Sequence, residues 1–250
     1  MIRVEALRCA YGDKVILNGL DLNIQEGAMC AVLGSNGCGK TTLMRCLSGL
    51  IEPQSGKIAL AGRPLKDYTT KQLAQTLSLV RQQANTDMEF SAFEIVLMGR
   101  NPYQKRLQNE SESDWKIVEE CMNMTNTWHL RFSTPSQMSG GELQRVMIAR
   151  ALAQQTPVML LDEPTSNLDI AHQMEIMQLL CDINRNEKKT IMIVVHDLNL
   201  AYGYCPNLLL LDKGNKVFYG DMKEGLTPER IRQVFGVEAE ICNQNIFFKK

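Results

Sequence analysis

The sequence predicts an α/β fold: a parallel-sheet core with an inserted α-helical subdomain. Three observations predict it. A glycine-rich loop, Gly34-Ser35-Asn36-Gly37-Cys38-Gly39-Lys40-Thr41-Thr42, lies between an apolar run over residues 27–33 and a helix-compatible stretch over 43–47. Two further runs, residues 158–161 and 191–195, are apolar without alternation, as strands buried on both faces of a parallel sheet require. Between about residues 84 and 153 strand patterning vanishes and helical patterning replaces it.

The glycine-rich loop follows the pattern G-x-x-x-x-G-K-[ST], and its strand–loop–helix setting raises it above a chance match. Gly34, Gly37 and Gly39 let the backbone turn N–H groups towards phosphate oxygens, and the helix N-terminus adds partial positive charge. Ser35, Asn36, Cys38 and Thr42 complete the cradle; Lys40 brings a full charge to the β/γ-phosphates and Thr41 a hydroxyl for Mg²⁺. The competing reading is a glycine turn before an ordinary helix. A lysine in the first turn opposes the helix dipole, which favours an anion there. Cys38 stands near Lys40 and a helix N-terminus, a setting expected to lower a thiol pKa and make it an alkylation target that bound nucleotide would protect. A small residue merely tolerated in the loop is the alternative.

At 250 residues, one large domain with an inserted subdomain is expected. A net charge of −1 gives no overall bias towards nucleic acid or anionic lipid. The eight cysteines include no C-x-x-C pair, and several lie in apolar runs, so reduced, buried thiols of a cytoplasmic protein are expected. The N-terminus lacks a signal-peptide h-region, and no apolar run is long enough to cross a bilayer.

In chain order, residues 2–7 read as a strand leading into a turn over 9–13, with strand-like pieces at 15–17 and 20–24. Tyr11 either stacks on an adenine ring or caps a sheet edge. Residues 57–60 and 77–80 are strand candidates around a small helix near 70–74, and Gln82 and Gln83 follow the second of them. These are exposed amides or, given a phosphate site, neutral ligands reaching towards Mg²⁺ and water. Residues 91–98 and 110–127 pattern as helices broken at Gly99-Arg100-Asn101-Pro102, with Trp115, Val118 and Met122 on one core-facing stripe. Ser139-Gly140-Gly141-Glu142 contains the S-x-x-E capping box of a helix start. Its two glycines also leave room for an anion to meet bare N–H groups.

The run at 158–161 delivers Asp162 and Glu163 at its carboxyl end, where open α/β sheets place ligands. Adjacent acids there call for a cation or polar ligand: Asp162 suits the Mg²⁺ shell, Glu163 a base on the attacking water. Asp169 suits the cap of the next helix, in which Ile170, Met174, Met177 and Cys181 share a face. His196 ends the run at 191–195, a placement that favours a γ-phosphate contact over a structural role. His129 and His172 lack such placement and read as surface or packing residues. Residues 208–211 and 217–219 close the sheet, and Thr227-Pro228-Glu229 opens a late helix.

Taken in order, Tyr11, Gly34 to Thr42, Gln82, Ser139 to Gln144, Leu160 to Glu163, Ser166 to Asp169 and His196 closely resemble the motifs of ATP-binding subunits of ABC transporters. The resemblance spans essentially the whole chain, and the Ser139-Gly140-Gly141-Glu142 signature is specific to that superfamily. It implies a P-loop NTPase (RecA-like) core with an antiparallel β subdomain over 1–83 and 154–220, a helical subdomain with the signature over 84–153, and a C-terminal extension over 221–250. It also implies a head-to-tail homodimer, with ATP clamped between one protomer's phosphate loop and its partner's signature. Met98-Gly99-Arg100-Asn101-Pro102 and His196-Asp197-Leu198-Asn199-Leu200-Ala201 resemble importer ATPases for ferric siderophores, haem and cobalamin. Such ATPases sit peripherally on the cytoplasmic side of the inner membrane, paired with integral-membrane permease subunits and, indirectly, a substrate-binding protein. The sequence departs from the family at Ser35 and Cys38, which replace the commoner proline and serine or alanine. Arg81 stands where proline is usual, Met138 replaces leucine, and Tyr103 stands where histidine is frequent.

The resemblance implies ATP hydrolysis driving import: Lys40 and the loop amides on the phosphates; Thr41, Gln82 and Asp162 around Mg²⁺; Glu163 on the water; and His196 with the partner's signature on the transferring phosphoryl group. A soluble single-cassette ATPase acting as an assembly factor is the rival reading. Permease genes beside this one, or co-purification with an integral membrane protein, would separate the two.

Overall fold

The computed structural model describes residues 1–81, 89–104, 110–243 and 245–249. Gln82 and Gln83 lie outside the described residues. A first sheet is antiparallel, ordered β2-β1-β4-β5, from β1 (Ile2–Tyr11), β2 (Lys14–Ile24), β4 (Ser55–Leu60) and β5 (Arg63–Pro64). The second holds β3 (Met29–Gly34), β6 (Leu77–Val80), β7 (Val158–Asp162), β8 (Thr190–Val194), β9 (Asn207–Asp212) and β10 (Asn215–Asp221), in the order β10-β9-β3-β8-β7-β6. Every neighbouring pair in it is parallel except β9–β10.

Alternate residues of the central strands feed two separate cores, which is why those strands carry no polar alternation. Ala31 and Leu33, Met159 and Leu161, and Ile191 and Ile193 pack on one face against helices. Cys30 and Val32, Val158 and Leu160, and Met192 and Val194 pack on the other, beneath the antiparallel sheet and α1 (Lys40–Leu47). The two sheets are stitched by a hydrogen bond from Asn18 N to the Gly214 carbonyl, 3.0 Å, and from Lys216 Nζ to the Asp21 carbonyl, 2.7 Å.

After α2 (Thr70–Ala74) and β6, the described residues up to β7 are helical: α3 (Ala92–Leu97), a 3₁₀ turn (Met98–Tyr103), α4 (Glu112–Met124) and α5 (Gly140–Ala153). The Gly99–Pro102 break has a packing cause. A Cβ at Gly99 would lie 2.3 Å from the Arg150 carbonyl on α5. Buried Arg100 ties three elements together: Nε to Asp114 Oδ1 at 2.8 Å, and Nη1 to the Ala153 carbonyl at 2.7 Å and to Gln155 Oε1 at 2.9 Å. The chain continues through α6 (Ile170–Glu187), α7 (Leu198–Tyr204), α8 (Met222–Gly225) and α9 (Pro228–Phe235) to a terminal hairpin of β11 (Ala239–Cys242) and β12 (Asn245–Phe248).

Several expectations need correction. The pieces at 15–17 and 20–24 form one strand, β2, whose register with β1 shifts at bulges. The turn expected over 9–13 shrinks to Gly12-Asp13, and Tyr11 is a strand residue paired with Lys14. Trp115 is not core: it is 54% exposed and meets Phe93 edge-on, while Val118 and Met122 are buried as expected. On α6, Met177 and Cys181 are buried but Ile170 is 77% exposed. All eight cysteines are free thiols, and all but Cys242 are buried.

Candidate functional site

Three neighbouring strands, β3, β8 and β7, end at the same edge of the parallel sheet, and each releases a polar side chain there. From β3 the chain turns through the glycine loop into α1. Gly34 allows the first close approach: a Cβ there would lie 2.3 Å from the Leu211 carbonyl. Gly39, at φ 106, precedes the first helical residue in a conformation that disfavours other residues, and its missing side chain spares Leu17. The loop is braced from β9–β10 by a hydrogen bond from Gly214 N to the Cys38 carbonyl, 3.2 Å.

The N-terminus of α1 has no side-chain cap and no acid in its first turn. Every other α-helix among the described residues is capped by a Ser, Thr or Asp side chain. The first-turn N–H groups of α1 are therefore the ones left for an anion. Lys40 is 6% exposed and folds back over the loop, donating to the Gly34 carbonyl at 2.7 Å and the Ser35 carbonyl at 3.1 Å. A buried ammonium held by two carbonyls and, at 4.0 Å, by the Cys38 Sγ is positioned for a phosphate.

Cys38 corrects the expected reactive thiol. It is 2% exposed, and burial pushes its pKa up, with the Lys40 charge only partly opposing. Desolvation outweighs the helix terminus and the cation here.

Thr41 Oγ1 donates to Asp162 Oδ1 at 3.4 Å, joining α1 to the end of β7. The Asp162 carboxyl is raised by burial, with the Thr41 hydrogen bond working against the shift. A hydroxyl and a buried carboxylate are hard oxygen donors, and their pairing fits a Mg²⁺-type cation. Beside them opens a cleft of about 610 Å³ lined by Thr41, Arg45, Leu79, Arg81 and Asp162.

Glu163 stands one residue past β7 at φ 54, an unusual conformation for a side chain of its size. Ser166 fixes it: its backbone N and Oγ both donate to the Glu163 carbonyl, at 3.1 and 2.9 Å. The carboxylate oxygen Oε1 lies 2.5 Å from Nε2 of His196, which follows β8. Lys40, Thr41, Asp162, Glu163 and His196 are thus brought to one edge. Tyr11 is exposed at the end of β1.

Ser139, Gly140, Gly141 and Glu142 form a separate tip at the start of α5. Ser139 and Glu142 make the reciprocal capping box, with Ser139 N to Glu142 Oε2 at 2.8 Å and Glu142 N to Ser139 Oγ at 3.3 Å. The tip abuts the residues around Asp169, which caps α6. A Cβ at Gly141 would lie 2.6 Å from the His172 ring. His172, expected as a surface or packing residue, is one: its ring is partly exposed and packs against the tip.

Residues 17–166 match the family model described as ABC transporter. The ferric enterobactin transport ATP-binding protein of Escherichia coli is 37% identical, over 98% of this chain and 90% of that protein. The hemin import ATP-binding protein of Pseudomonas aeruginosa is 40% identical, over 95% of this chain and 93% of that protein. Among solved structures, the ATP-binding cassette MJ0796, a dimer in a post-hydrolysis state bound to ADP and Pi, superposes with a TM-score of 0.77. It is 30% identical, over 89% of this chain and 99% of that one.

Proposed function

The chain belongs to the ABC transporter family as an ATP-hydrolysing subunit, and from that premise we propose that two copies power import of a metal chelate or tetrapyrrole through a membrane permease. The cargo class is a ferric siderophore, haem or cobalamin. Support for it comes from relatives named for ferric enterobactin and hemin, matched along nearly their full length. Permease subunits hold the chain peripherally at the cytoplasmic face, and a binding protein hands them the cargo. No helix among the described residues is long and apolar enough to cross a membrane. Exposed Phe90, Trp115 and Phe132 around the helical segment offer a surface of the kind such a permease would cover.

The observation that carries the mechanism is the convergence of Lys40, Asp162, Glu163 and His196 at the ends of β3, β7 and β8. Lys40 and the amides from Gly34 to Thr42 hold the triphosphate, with Tyr11 stacking on adenine. Thr41 and Asp162, joined by Gln82, would hold Mg²⁺, which when bound neutralises charge on the β- and γ-phosphate oxygens. Glu163 accepts a proton from the attacking water, and His196 orients that carboxylate and reaches the γ-phosphate. The partner copy supplies Ser139, Gly140 and Gly141 to the phosphates, and Asp169 lies at the seam between copies.

Glu163→Gln tests this reading. Hydrolysis should fall ~10²–10⁴-fold, the usual worth of a general base, while ATP binding persists and a closed dimer accumulates on size exclusion. Hydrolysis at the parent rate would refute it. A deletion strain offered ferric siderophore, haem and cobalamin in turn identifies the cargo.

A further inference from the structure

From the packing at the start of α6 we infer that His172 is a positioning residue, which locks the Ser139–Gly141 tip to the Asp169 loop so that the two move as one piece. The inference rests on the proposed reading that this tip meets nucleotide held by a second copy.

Asp169 caps α6 twice through the same neighbour. Its Oδ1 accepts from the backbone N of His172 at 2.9 Å, and the ring Nδ1 lies 2.8 Å from Oδ1 and 2.9 Å from Oδ2. An ionised carboxylate only accepts, so this contact places a proton on Nδ1 and fixes the ring plane. The same contacts hold the Asp169 carboxyl below its ordinary range: the backbone N–H of His172 contributes most, the ring next.

With one edge of the ring anchored, the other is pressed on the glycine tip. A Cβ at Gly141 would meet His172 Cδ2 at 2.6 Å and Cγ at 3.0 Å, and a Cβ at Gly140 would meet Leu168 Cδ2 at 3.3 Å. The second glycine is therefore required by a neighbour in its own chain as well as by any anion approaching it. Gln173 holds the rest of the loop, its Nε2 donating to the Thr165 carbonyl at 3.2 Å and the Leu168 carbonyl at 3.0 Å. An anchored ring wedged at Gly141 sets the pitch at which the tip N–H groups leave α5, and it ties that pitch to the position of Asp169.

Two variants test the lock as a whole. His172→Ala removes both anchor and wedge; His172→Asn replaces the Nδ1 donor with an amide NH₂ at the same reach. His172→Ala should lower kcat roughly 10- to 100-fold, the effect of misplacing a transition-state contact by up to an ångström, while the KM for ATP holds because the Lys40 loop is untouched. In the Glu163→Gln background it should weaken ATP-driven dimerisation, and His172→Asn should restore most of both properties. Gly141→Ala should cost less in the His172→Ala chain than in the parent, because the clashing ring is gone. Parent-like kcat and dimerisation in His172→Ala would overturn the inference, as would a loss that His172→Asn does not recover. Gly141→Glu serves as the control. If it also dimerises and hydrolyses normally, the two-copy reading fails; if it is dead while His172→Ala is normal, only the role of His172 fails.

Discussion

Glu163 and His196 leave adjacent parallel strands and meet with Oε1 and Nε2 2.5 Å apart. Neither contact atom belongs to a regular element, so the pair depends on the strained Glu163 backbone and on the two hydrogen bonds Ser166 gives its carbonyl. On the proposed reading, His196 orients this carboxylate. His196→Ala should lower kcat by roughly 10²–10³, the loss commonly seen when an oriented electrostatic contact is removed. Mant-ATP affinity should stay within error of the parent. A parallel loss of affinity would show that His196 holds ground-state nucleotide instead.

Asp162 pits stability against use. Asp162 is 9% exposed and burial disfavours its charge. Asp162→Asn keeps an oxygen to accept from Thr41 while removing the buried charge. The nucleotide-free variant should melt higher by a few degrees, since about 1 kcal/mol is worth ~2–4 °C in a chain of this size. Mg²⁺-dependent hydrolysis should collapse. Differential scanning calorimetry with a steady-state ATPase assay reads both, and a lower melting point would contradict the cost assigned to the buried charge.

Arg100 and Asp114 form a nearly buried pair, 2.8 Å apart. Burial alone would raise the Asp114 carboxyl, but hydrogen bonds from Arg100 and Ser111 outweigh it and hold the group below its usual range. A depressed carboxylate contributes stability above its unfolded pKa of ~3.9, and that contribution is lost as pH falls through the lower folded value. Asp114→Asn should flatten the stability curve in that acid window. Arg100→Ala should cost about 3 kcal/mol at neutral pH, the low end for breaking a buried pair, because Asp114 Oδ1 and the Ala153 carbonyl lose their donor while Ser111 still donates to Oδ2. Urea melts from pH 2 to pH 7 test both.

Cysteine labelling has a clear ordering. Cys242 is exposed and the other seven thiols are buried. Maleimide should label one site quickly in the native chain, and ATPase activity should survive it. Cys38 should react slowly and faster at higher pH, because burial raises its thiol. Peptide mass spectrometry finding Cys38 modified first would reverse this.

The parallel core was legible because buried strands leave unbroken apolar runs, and the loop after β3 because phosphate chemistry permits few residue types. The placement of Asp162, Glu163 and His196 at or just past strand ends was legible from the apolar runs before them. What escaped was long-range. Periodicity puts Trp115 on the stripe with Val118 and Met122, yet it cannot show that Trp115, in the first turn of α4, stays exposed and meets Phe93 in a T-shaped contact. The Cys38 environment depends on burial contributed by distant strands, and the Gly141–His172 contact joins residues 31 positions apart. Gln82, a predicted Mg²⁺ and water ligand, lies outside the described residues.

The uncapped start of α1 has a thermodynamic consequence. A helix whose chain provides no lid for its opening turn borrows one from whatever it binds, so occupancy and local order at Lys40–Thr42 are a single equilibrium. Amide-exchange protection at those three positions would then serve as an intrinsic gauge of how much of the protein is loaded.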